Sequence, residues 1–265
     1  MTEADRLSAV SPATTLDISK YLDRIGYSGP TALSAQLLHD LHRRHMLSVP
    51  FENLDILLGR RIVCDQSAFV EKIVERRRGG FCYELNGAFS ALLRALGFAV
   101  TMLSARVTRD DGQSGPEFAH LVLRVDLDEP WLCDVGFGDS FVEPLCLQPG
   151  VEQPQGKRTF RLVKDGRVLH LELREPDTQH WERQYSFTLV PRRLDEFASM
   201  CEYHQTSPDS HFTRATVCSL ATSDGRITLT DQDLMTTRDG ERVSIPVISQ
   251  AQRTAVLRDT FGIEL

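Results

Sequence analysis

The sequence predicts an α+β protein in which helices are followed by an antiparallel β-sheet or barrel and then by a mixed segment. Up to Gly97 the apolar residues recur at steps of three and four, which is helical spacing. From Val100 to Val190 they alternate with a period of two, which is typical of strands. From Arg192 onward both patterns occur. The predicted domains are residues 1–97, 98–191 and 192–265.

Composition argues against several classes of protein. The formal charge of −7 and the isoelectric point of about 5.6 do not suit nonspecific nucleic-acid binding, which needs a basic face. No apolar run approaches the roughly 18 residues of a membrane helix. The first dozen residues are predicted to be a loose tail, and Met1–Leu7 holds Glu3 and Asp5 instead of an apolar signal core. The six cysteines form no CxxC pair, which is poor spacing for zinc or for a disulfide scaffold. We therefore expect a cytoplasmic protein with reduced thiols that binds neither nucleic acids nor membranes.

Helices dominate the first third of the chain. Gly26 and the Gly29-Pro30 pair break the pattern after the first helix, and Gly97 ends the last one. The segment Ser48–Asp55 interrupts the helical pattern and is too polar for a strand. The predicted helices are 17–25, 31–45, 67–78 and 82–96.

Strands separated by turn signals dominate the middle third. Asp111-Gly112, Pro149-Gly150 and Asp165-Gly166 favour tight turns, and several short strands at such spacing are typical of an antiparallel sheet or barrel. The predicted strands are 100–107, 118–125, 131–137, 160–164, 167–173 and 185–190. For the last third the prediction is a helix near 194–201, hairpins at 224–225 and 239–240, and a final helix at 249–260.

Cys82 is the strongest candidate for a nucleophile. It follows the Gly79-Gly80 turn and opens the predicted helix 82–96, and a helix N-terminus carries partial positive charge. Three arginines, at positions 76 to 78, lie just upstream. Both features favour the thiolate, which is the reactive form of cysteine. The alternative is an unreactive core cysteine, because most free cysteines are buried.

His120 and Asp134 are the candidates for the base and the orienting group that a cysteine nucleophile needs. His120 lies in the middle of a predicted strand, and a hairpin turn centred near Leu127 pairs it with Asp134 or with a neighbour one register away. Asp134 is a carboxylate in an otherwise apolar strand, so it needs a partner. A purely structural histidine–aspartate pair is the alternative.

Three other histidines, His39, His42 and His45, lie three residues apart on a predicted helix. Steps of three residues rotate successive side chains off one face of a helix, so this spacing matches metal binding poorly. No metal site is predicted.

Five segments of the sequence match a known pattern, in the same order along the chain. They are Tyr21-Leu22-Asp23-Arg24-Ile25-Gly26, Ser48 to Asp55, Arg77-Arg78-Gly79-Gly80-Phe81-Cys82-Tyr83-Glu84-Leu85-Asn86, Asp134-Val135-Gly136-Phe137-Gly138 and Ser207-Pro208-Asp209-Ser210-His211-Phe212. Together they resemble the arylamine N-acetyltransferase family. The resemblance implies a helical bundle, a β-barrel and an α/β lid in a cysteine-protease-like arrangement, with a catalytic triad of Cys82, His120 and Asp134. The long insertion of the vertebrate enzymes has no counterpart, which indicates a bacterial-type member.

The family moves an acetyl group from acetyl-CoA through a cysteine thioester to an arylamine, arylhydrazine or arylhydroxylamine. The resemblance therefore implies an acyltransferase of xenobiotic metabolism that uses acetyl-CoA (coenzyme A) as a substrate and has no tightly bound cofactor. It also implies an acceptor pocket of Phe51, Val107 and Phe137, and coenzyme A contacts from Gly138, His211 and Phe212.

Two other functions fit the same residues. A cysteine peptidase or a transglutaminase uses cysteine, histidine and aspartate in this chain order but acts on amides, and stabilisation by coenzyme A would distinguish a transferase from it. A non-catalytic binding barrel would leave Cys82 no more reactive toward iodoacetamide than the other thiols.

Overall fold

Helices dominate the described chain up to residue 97, and strands dominate from residue 99 to residue 192, as the sequence predicts. A computed structural model describes residues 16–176 and 178–265, so the predicted loose tail lies outside the described residues. The helices of the described part are α1 (Ile18–Arg24), α2 (Ala35–Ser48), α3 (Leu54–Leu57), α4 (Gln66–Val70), α5 (Cys82–Ala95), α6 (Ala198–Thr206) and α7 (Gln250–Phe261). A π-helical turn, Glu71–Glu75, continues α4, and short 3₁₀ turns cover Leu194–Phe197 and His211–Thr213.

The strands form two antiparallel sheets. In chain order they are β1 (Phe51–Glu52), β2 (Ala99–Val107), β3 (His120–Asp126), β4 (Pro130–Cys133), β5 (Leu145–Cys146), β6 (Gln153–Gln155), β7 (Arg158–Asp165), β8 (Val168–Arg174), β9 (Glu182–Arg192), β10 (Val217–Ala221), β11 (Gly225–Thr230), β12 (Asp233–Arg238) and β13 (Glu241–Pro246). The eight strands from β2 to β9 form one sheet, and β1 joins β10 to β13 in the other.

The sheet of β2 to β9 curls into a nearly closed barrel with the order β5-β4-β3-β2-β9-β8-β7-β6. A side chain joins its two edge strands: the amide of Gln153 accepts from the backbone N–H of Cys146 at 2.8 Å and donates to its carbonyl at 3.0 Å. Apolar residues such as Leu103, Val122 and Leu162 fill the barrel and are fully buried. The other face of β3 packs against α5, which places barrel residues next to Cys82.

The second sheet has the order β1-β10-β11-β12-β13 and packs against α7. Its strand β1 comes from the first third of the chain, and Glu52 pairs with Cys218. The prediction that Ser48–Asp55 is too polar for a strand is therefore wrong at β1. The charge of Glu52 is tolerated because its carboxylate lies 2.8 Å from the guanidinium of Arg78. Since β1 links the first predicted domain to the last, the division at residues 97 and 191 stays a prediction.

The β3–β4 hairpin sets the positions of His120 and Asp134. Leu123 pairs with Cys133, which centres the turn one residue later than predicted. Strand β4 ends at Cys133, so Asp134 lies just beyond the strand, and the predicted direct pairing of His120 with Asp134 is not formed. The reason is the register, which would place Gly136 and not Asp134 opposite His120. The backbone N–H of Asp134 donates to the side chain of His42.

The turn before α5 is held from several sides. Glu84 caps the helix, because its carboxylate accepts from the backbone N–H of Phe81 at 3.1 Å. The buried guanidinium of Arg24 donates to the carbonyls of the two residues before Gly79, at 3.4 and 3.2 Å. A Cβ on Gly79 would lie 2.0 Å from a backbone carbonyl oxygen, so only glycine allows the close approach. These contacts fix Cys82 as the first residue of α5.

All six cysteines are unpaired thiols, and Cys82, Cys133, Cys201 and Cys218 are buried. Within the described ranges, every helix is too short or too polar to span a lipid bilayer.

Candidate active site

Cys82 is buried at the N-terminus of α5, with 4% of its surface exposed. Burial raises the pKa of its thiol, and the negative charge of Asp134 raises it further. The backbone amides of Leu121 and Tyr83 act in the opposite direction, because they favour a negative sulfur. The helix N-terminus alone therefore does not hold Cys82 as a thiolate, and a neighbouring cation is needed.

The arginines upstream do not supply that cation. Arg76 pairs with Glu71 at 2.8 Å on the surface, and Arg78 is buried against Glu52. The prediction that these two arginines favour the thiolate is wrong, because carboxylates already neutralise their charges. Arg78 belongs to what we call the buried ionic cluster, which consists of Lys72, Arg78, Glu52, Asp55 and Glu84.

The buried ionic cluster anchors the start of α5. The ammonium group of Lys72 lies 2.8 Å from the carboxylates of both Asp55 and Glu84. Burial raises the pKa of Glu84 to about 7, and Lys72 limits the rise. Because Glu84 also caps α5 two residues after Cys82, the cluster fixes the position of the candidate nucleophile.

His120 and Asp134 form a buried pair. Nε2 of His120 lies 2.7 Å from Oδ2 of Asp134, and the two residues are 2% and 0% exposed. Burial alone would raise the pKa of Asp134, but His120, Asn86 and the backbone N–H of Gly136 lower it overall. Asp134 is therefore ionised, and the proton on Nε2 of His120 faces it. Nδ1 is left as the nitrogen that can exchange a proton with another group.

Asn86, four residues after Cys82 on α5, orients the carboxylate. Its Nδ2 donates to Oδ1 of Asp134 at 2.8 Å and to the carbonyl of Leu121 at 2.7 Å. Its Oδ1 accepts from the backbone N–H of Val135 at 2.9 Å. One side chain thus joins α5, β3 and the residues after β4.

Aromatic rings surround the imidazole of His120. The ring centroids of Phe137 and Tyr185 lie 5.3 and 5.4 Å from it. Burial, and then the carboxylate of Asp134, raise the pKa of the Tyr185 hydroxyl, so this group stays protonated. The rings exclude water from the His120–Asp134 pair, which strengthens its electrostatic interaction.

Gly136 lets the two sides of the site meet. A Cβ at this position would lie 2.8 Å from Cα of Cys82 and 2.7 Å from Nδ2 of Asn86. Only glycine therefore allows the residues after β4 to pack directly on α5. The backbone amide of Leu121, next to His120, acts on the sulfur of Cys82. The structure thus brings the three predicted triad residues into one buried site, and their catalytic roles stay a prediction.

A cavity of about 410 Å³ lies beside this site, with Phe137 in its wall. Five of the six residues expected to contact substrates line it, namely Phe51, Phe137, Gly138, His211 and Phe212. Val107 does not line this cavity; it lies at the end of β2, opposite Tyr185. Arg226 and Arg242 add two guanidinium groups to the wall, and the group of Arg226 is paired with Asp139 at 3.1 Å.

Asn86 and His42 contact Asp134 but were not among the predicted site residues. The sequence could have predicted Asn86 as a site residue, because a residue four positions after Cys82 lies on the same face of a helix. His42 has no such signal, since its partners lie 92 and 100 positions away in the chain. In the part of the chain that the structure describes, no group of three or more histidine, cysteine, aspartate or glutamate residues is placed to hold a metal ion.

The architecture and the site define a class of protein. A helix presents a buried cysteine to a histidine–carboxylate pair on an antiparallel barrel, which is the arrangement of thiol enzymes with a cysteine-protease-like fold.

Comparisons with known proteins narrow this class to a family. A family model described as N-acetyltransferase matches residues 34–265. The arylamine N-acetyltransferase of Mycolicibacterium smegmatis is 36% identical over 259 residues, which cover 94% of this chain and 93% of the relative. The solved arylamine N-acetyltransferase from Salmonella typhimurium superimposes with a TM-score of 0.88 at 32% identity, over 93% of this chain and 90% of that chain. The Mycobacterium marinum enzyme, solved in complex with CoA, gives 0.86 at 33% identity, with 93% of each chain covered.

The chain therefore belongs to the arylamine N-acetyltransferase family. This membership confirms the predicted family, the α+β fold with a cysteine-protease-like arrangement, and the enzyme class, which is acyltransferase.

Proposed function

We propose that this protein moves an acetyl group from acetyl-CoA to an aromatic amine, hydrazine or hydroxylamine through a thioester on Cys82. The observation that carries the proposal is the 2.7 Å contact between His120 and Asp134, in a pair whose chain neighbours Leu121 and Gly136 approach a buried cysteine at a helix N-terminus. Burying an imidazole and a carboxylate costs solvation free energy. We infer that the protein buries this pair because it activates the thiol of Cys82.

The reaction begins with a proton transfer inside the site. Because burial raises the pKa of Cys82, the thiolate forms when its proton passes to Nδ1 of His120. Asp134 is ionised and accepts the hydrogen bond from Nε2, so it stabilises the imidazolium that results. The thiolate and the imidazolium then form a close pair of opposite charges in a water-excluded site.

The first half-reaction transfers the acetyl group to the enzyme. The thiolate attacks the thioester carbonyl of acetyl-CoA, and backbone N–H groups at the start of α5 stabilise the oxyanion. When the tetrahedral intermediate collapses, coenzyme A leaves as a thiolate and takes the proton from His120. The acetyl group remains on Cys82 as a thioester.

The second half-reaction delivers the acetyl group to the acceptor. An aromatic amine is a weak base and is largely unprotonated at neutral pH, so its nitrogen can attack the thioester directly. Nδ1 of His120 accepts the proton that this nitrogen loses. Cys82 leaves as the thiolate, which restores the ion pair.

The cavity of about 410 Å³ is the proposed substrate site. Its aromatic walls offer flat apolar contact to the ring of the acceptor. Arg242 in its wall carries charge opposite to that of the coenzyme A phosphates, whereas Arg226 is already paired with Asp139. The proposed acceptor contacts are Phe51 and Phe137 in this cavity and Val107 outside its wall, and the proposed coenzyme A contacts are Gly138, His211 and Phe212.

A cytoplasmic location is part of this proposal. Six unpaired thiols suit a compartment that keeps cysteine reduced.

Intact-protein mass spectrometry tests the proposal. Incubation with acetyl-CoA alone should add one acetyl group, and peptide mapping should place it on Cys82. The adduct should be absent from Cys82→Ser and present in Cys146→Ser, which alters a partly exposed thiol outside the site. Addition of an arylamine should remove the adduct and yield the N-acetyl product. A wild-type protein that accumulates no adduct yet acetylates the amine would contradict the thioester route.

A further inference from the structure

His42 on α2 contacts the chain at two points around the site. Its Nε2 accepts from the backbone N–H of Asp134 at 3.1 Å, and its Nδ1 lies 2.9 Å from the carbonyl oxygen of Val142. The residues between these points, 134–142, include Phe137 and Gly138 of the cavity wall. We call this segment the site loop. One fully buried imidazole thus holds both ends of the site loop.

These two contacts define the proton state of His42. A carbonyl oxygen can only accept, so Nδ1 carries a proton; a backbone N–H can only donate, so Nε2 carries a lone pair. The ring is therefore neutral, and it stacks on Phe141 of the site loop with centroids 5.6 Å apart and planes 16° apart. Its titratable neighbours are Asp134, His39 and His45, and burial outweighs the attraction of Asp134 to lower the pKa of His42 to about 4.

We propose that His42 is a positioning residue for the acetyl transfer: its neutral Nε2 fixes the backbone of Asp134 and thereby the aim of the carboxylate at His120. This inference rests on the proposed role of the His120–Asp134 pair. Without the acceptor on His42, the N–H of Asp134 would be buried and unpaired, so the peptide would turn toward another partner and carry the carboxylate with it.

His45, one turn further along α2, provides a matched comparison. It is also fully buried, but its Nε2 lies 3.1 Å from the hydroxyl of Tyr21, within the helical bundle. A substitution of His45 therefore removes a buried imidazole from the same helix without changing a contact to Asp134.

Asparagine and glutamine separate the two contacts of His42. The amide nitrogen of His42→Asn can take the place of Nδ1 and still donate to Val142, but no acceptor reaches Asp134. The amide oxygen of His42→Gln can take the place of Nε2 and still accept from Asp134, but the contact to Val142 is lost. His45→Asn controls for the loss of a buried imidazole.

The readout is the rate of Cys82 alkylation by iodoacetamide at neutral pH, relative to the rate at alkaline pH. It reports how much of the thiol His120 holds as thiolate and needs neither substrate. His42→Asn should lower this ratio about five- to tenfold, which is the effect expected from one misaligned hydrogen bond to a charged group. His42→Gln and His45→Asn should stay within twofold of the wild type. In steady-state assays His42→Gln should mainly raise KM for acetyl-CoA, and His42→Asn should mainly lower kcat.

The outcomes separate the two levels of the inference. A wild-type Cys82 that reacts no faster at neutral pH than the other thiols would overturn the proposed function itself. A reactive wild type with an unchanged ratio in His42→Asn would overturn only the role of His42. If His42→Asn does not fold, His42→Gln decides the question. A tenfold fall in the alkylation ratio of His42→Gln would show that the hydrogen-bond acceptor at position 42 is not what maintains the thiolate.

Discussion

The two walls of the site are held in place by different kinds of interaction. The nucleophile wall, which is α5 and the turn before it, is anchored by the buried ionic cluster. The base wall, which is β3 and the residues after β4, is anchored by uncharged groups: Asn86, His42 and the backbone N–H of Gly136. The difference shows that charged groups fix the backbone turn before α5, whereas neutral groups support the His120–Asp134 pair, at which we propose that a proton is transferred. A second cation beside Asp134 would compete with His120 for its negative charge.

Asp134→Asn removes the charge of the base wall while keeping its shape, and it should have the largest effect. An asparagine amide cannot stabilise an imidazolium and can present an N–H to the nitrogen that should donate. We expect kcat to fall about 10³- to 10⁴-fold, as is usual for the neutral amide at this position of a triad. Steady-state kinetics measure the fall, and thermal unfolding controls for the fold. A variant within tenfold of the wild type would contradict the role assigned to this carboxylate.

Lys72→Met makes the corresponding change in the nucleophile wall. It leaves Asp55 and Glu84 buried without their nearest cation, so the free energy of unfolding should fall by about 3–5 kcal/mol. Denaturant titration measures this loss, and the double variant Lys72→Met/Glu84→Gln should recover part of it. For the folded fraction, kcat should fall less than tenfold. A large loss of kcat at unchanged stability would contradict the view that the buried ionic cluster contributes to stability more than to catalysis.

His42 makes the stability of the base wall depend on pH. Burial lowers its pKa from 6.5 to about 4, so the folded protein keeps it neutral while the unfolded chain takes up a proton below about pH 6.5. The free energy of unfolding should therefore fall as the pH drops from about 6.5 toward 4, by up to about 3 kcal/mol at 1.36 kcal/mol per pH unit. Glu84 acts in the opposite direction, because burial raises its pKa from 4.5 to about 7.

Comparison with His42→Gln isolates this contribution, because Glu84 is common to both proteins. Denaturant titrations at about pH 7 and pH 4.5 should show an acid-induced loss of stability that is about 2 kcal/mol smaller in the variant. Equal losses would mean that His42 takes up its proton at the same pH in the folded protein as in the unfolded chain, which would contradict the lowering of its pKa by burial.

Gly136→Ala tests the contact between the walls. The new methyl group would push the site loop away from Cys82 and Asn86 by a few tenths of an ångström or more. We expect kcat/KM to fall about 10- to 100-fold, because small displacements at a reacting centre are costly. Gly87→Ala is the control for crowding on α5, since its methyl group would meet the buried ring of Phe69 at 2.6 Å and no residue of the site. Equal activity of the two variants would show that the walls are not in tight contact.

Periodicity and motifs were sufficient to predict most helices and strands in their order and the start of α5, but α3, β1, β5 and β6 were not predicted. The apolar spacing from Cys82 to Leu96 and the stop at Gly97 match a helix that the structure forms at Cys82–Ala95. The longer barrel strands were also predictable from the period-two spacing of their apolar residues, although β3 and β8 are buried over most of their length. These are local signals, and each needs only a few neighbouring residues.

The remaining features depend on contacts between distant parts of the chain. Strand β1 forms at Glu52 only because β10 pairs with it and Arg78 neutralises its charge. The arginines before Cys82 seemed to favour a thiolate, but the sequence does not reveal that Arg78 is already paired. Strand β4 ends before Asp134, and the backbone N–H of that residue donates to His42. Neither register nor charge pairing of this kind is encoded in local periodicity.

The contact between the region of β1 and the later strands of the second sheet has a consequence for biosynthesis. The side-chain amide of Asn53 donates to the carbonyls of Phe212 and Ala215, which lie 159 and 162 positions later in the chain. Contacts over such distances form only after the intervening chain has been made. A nascent protein therefore carries an incomplete form of the proposed substrate cavity until the residues of β10 to β13 have emerged from the ribosome.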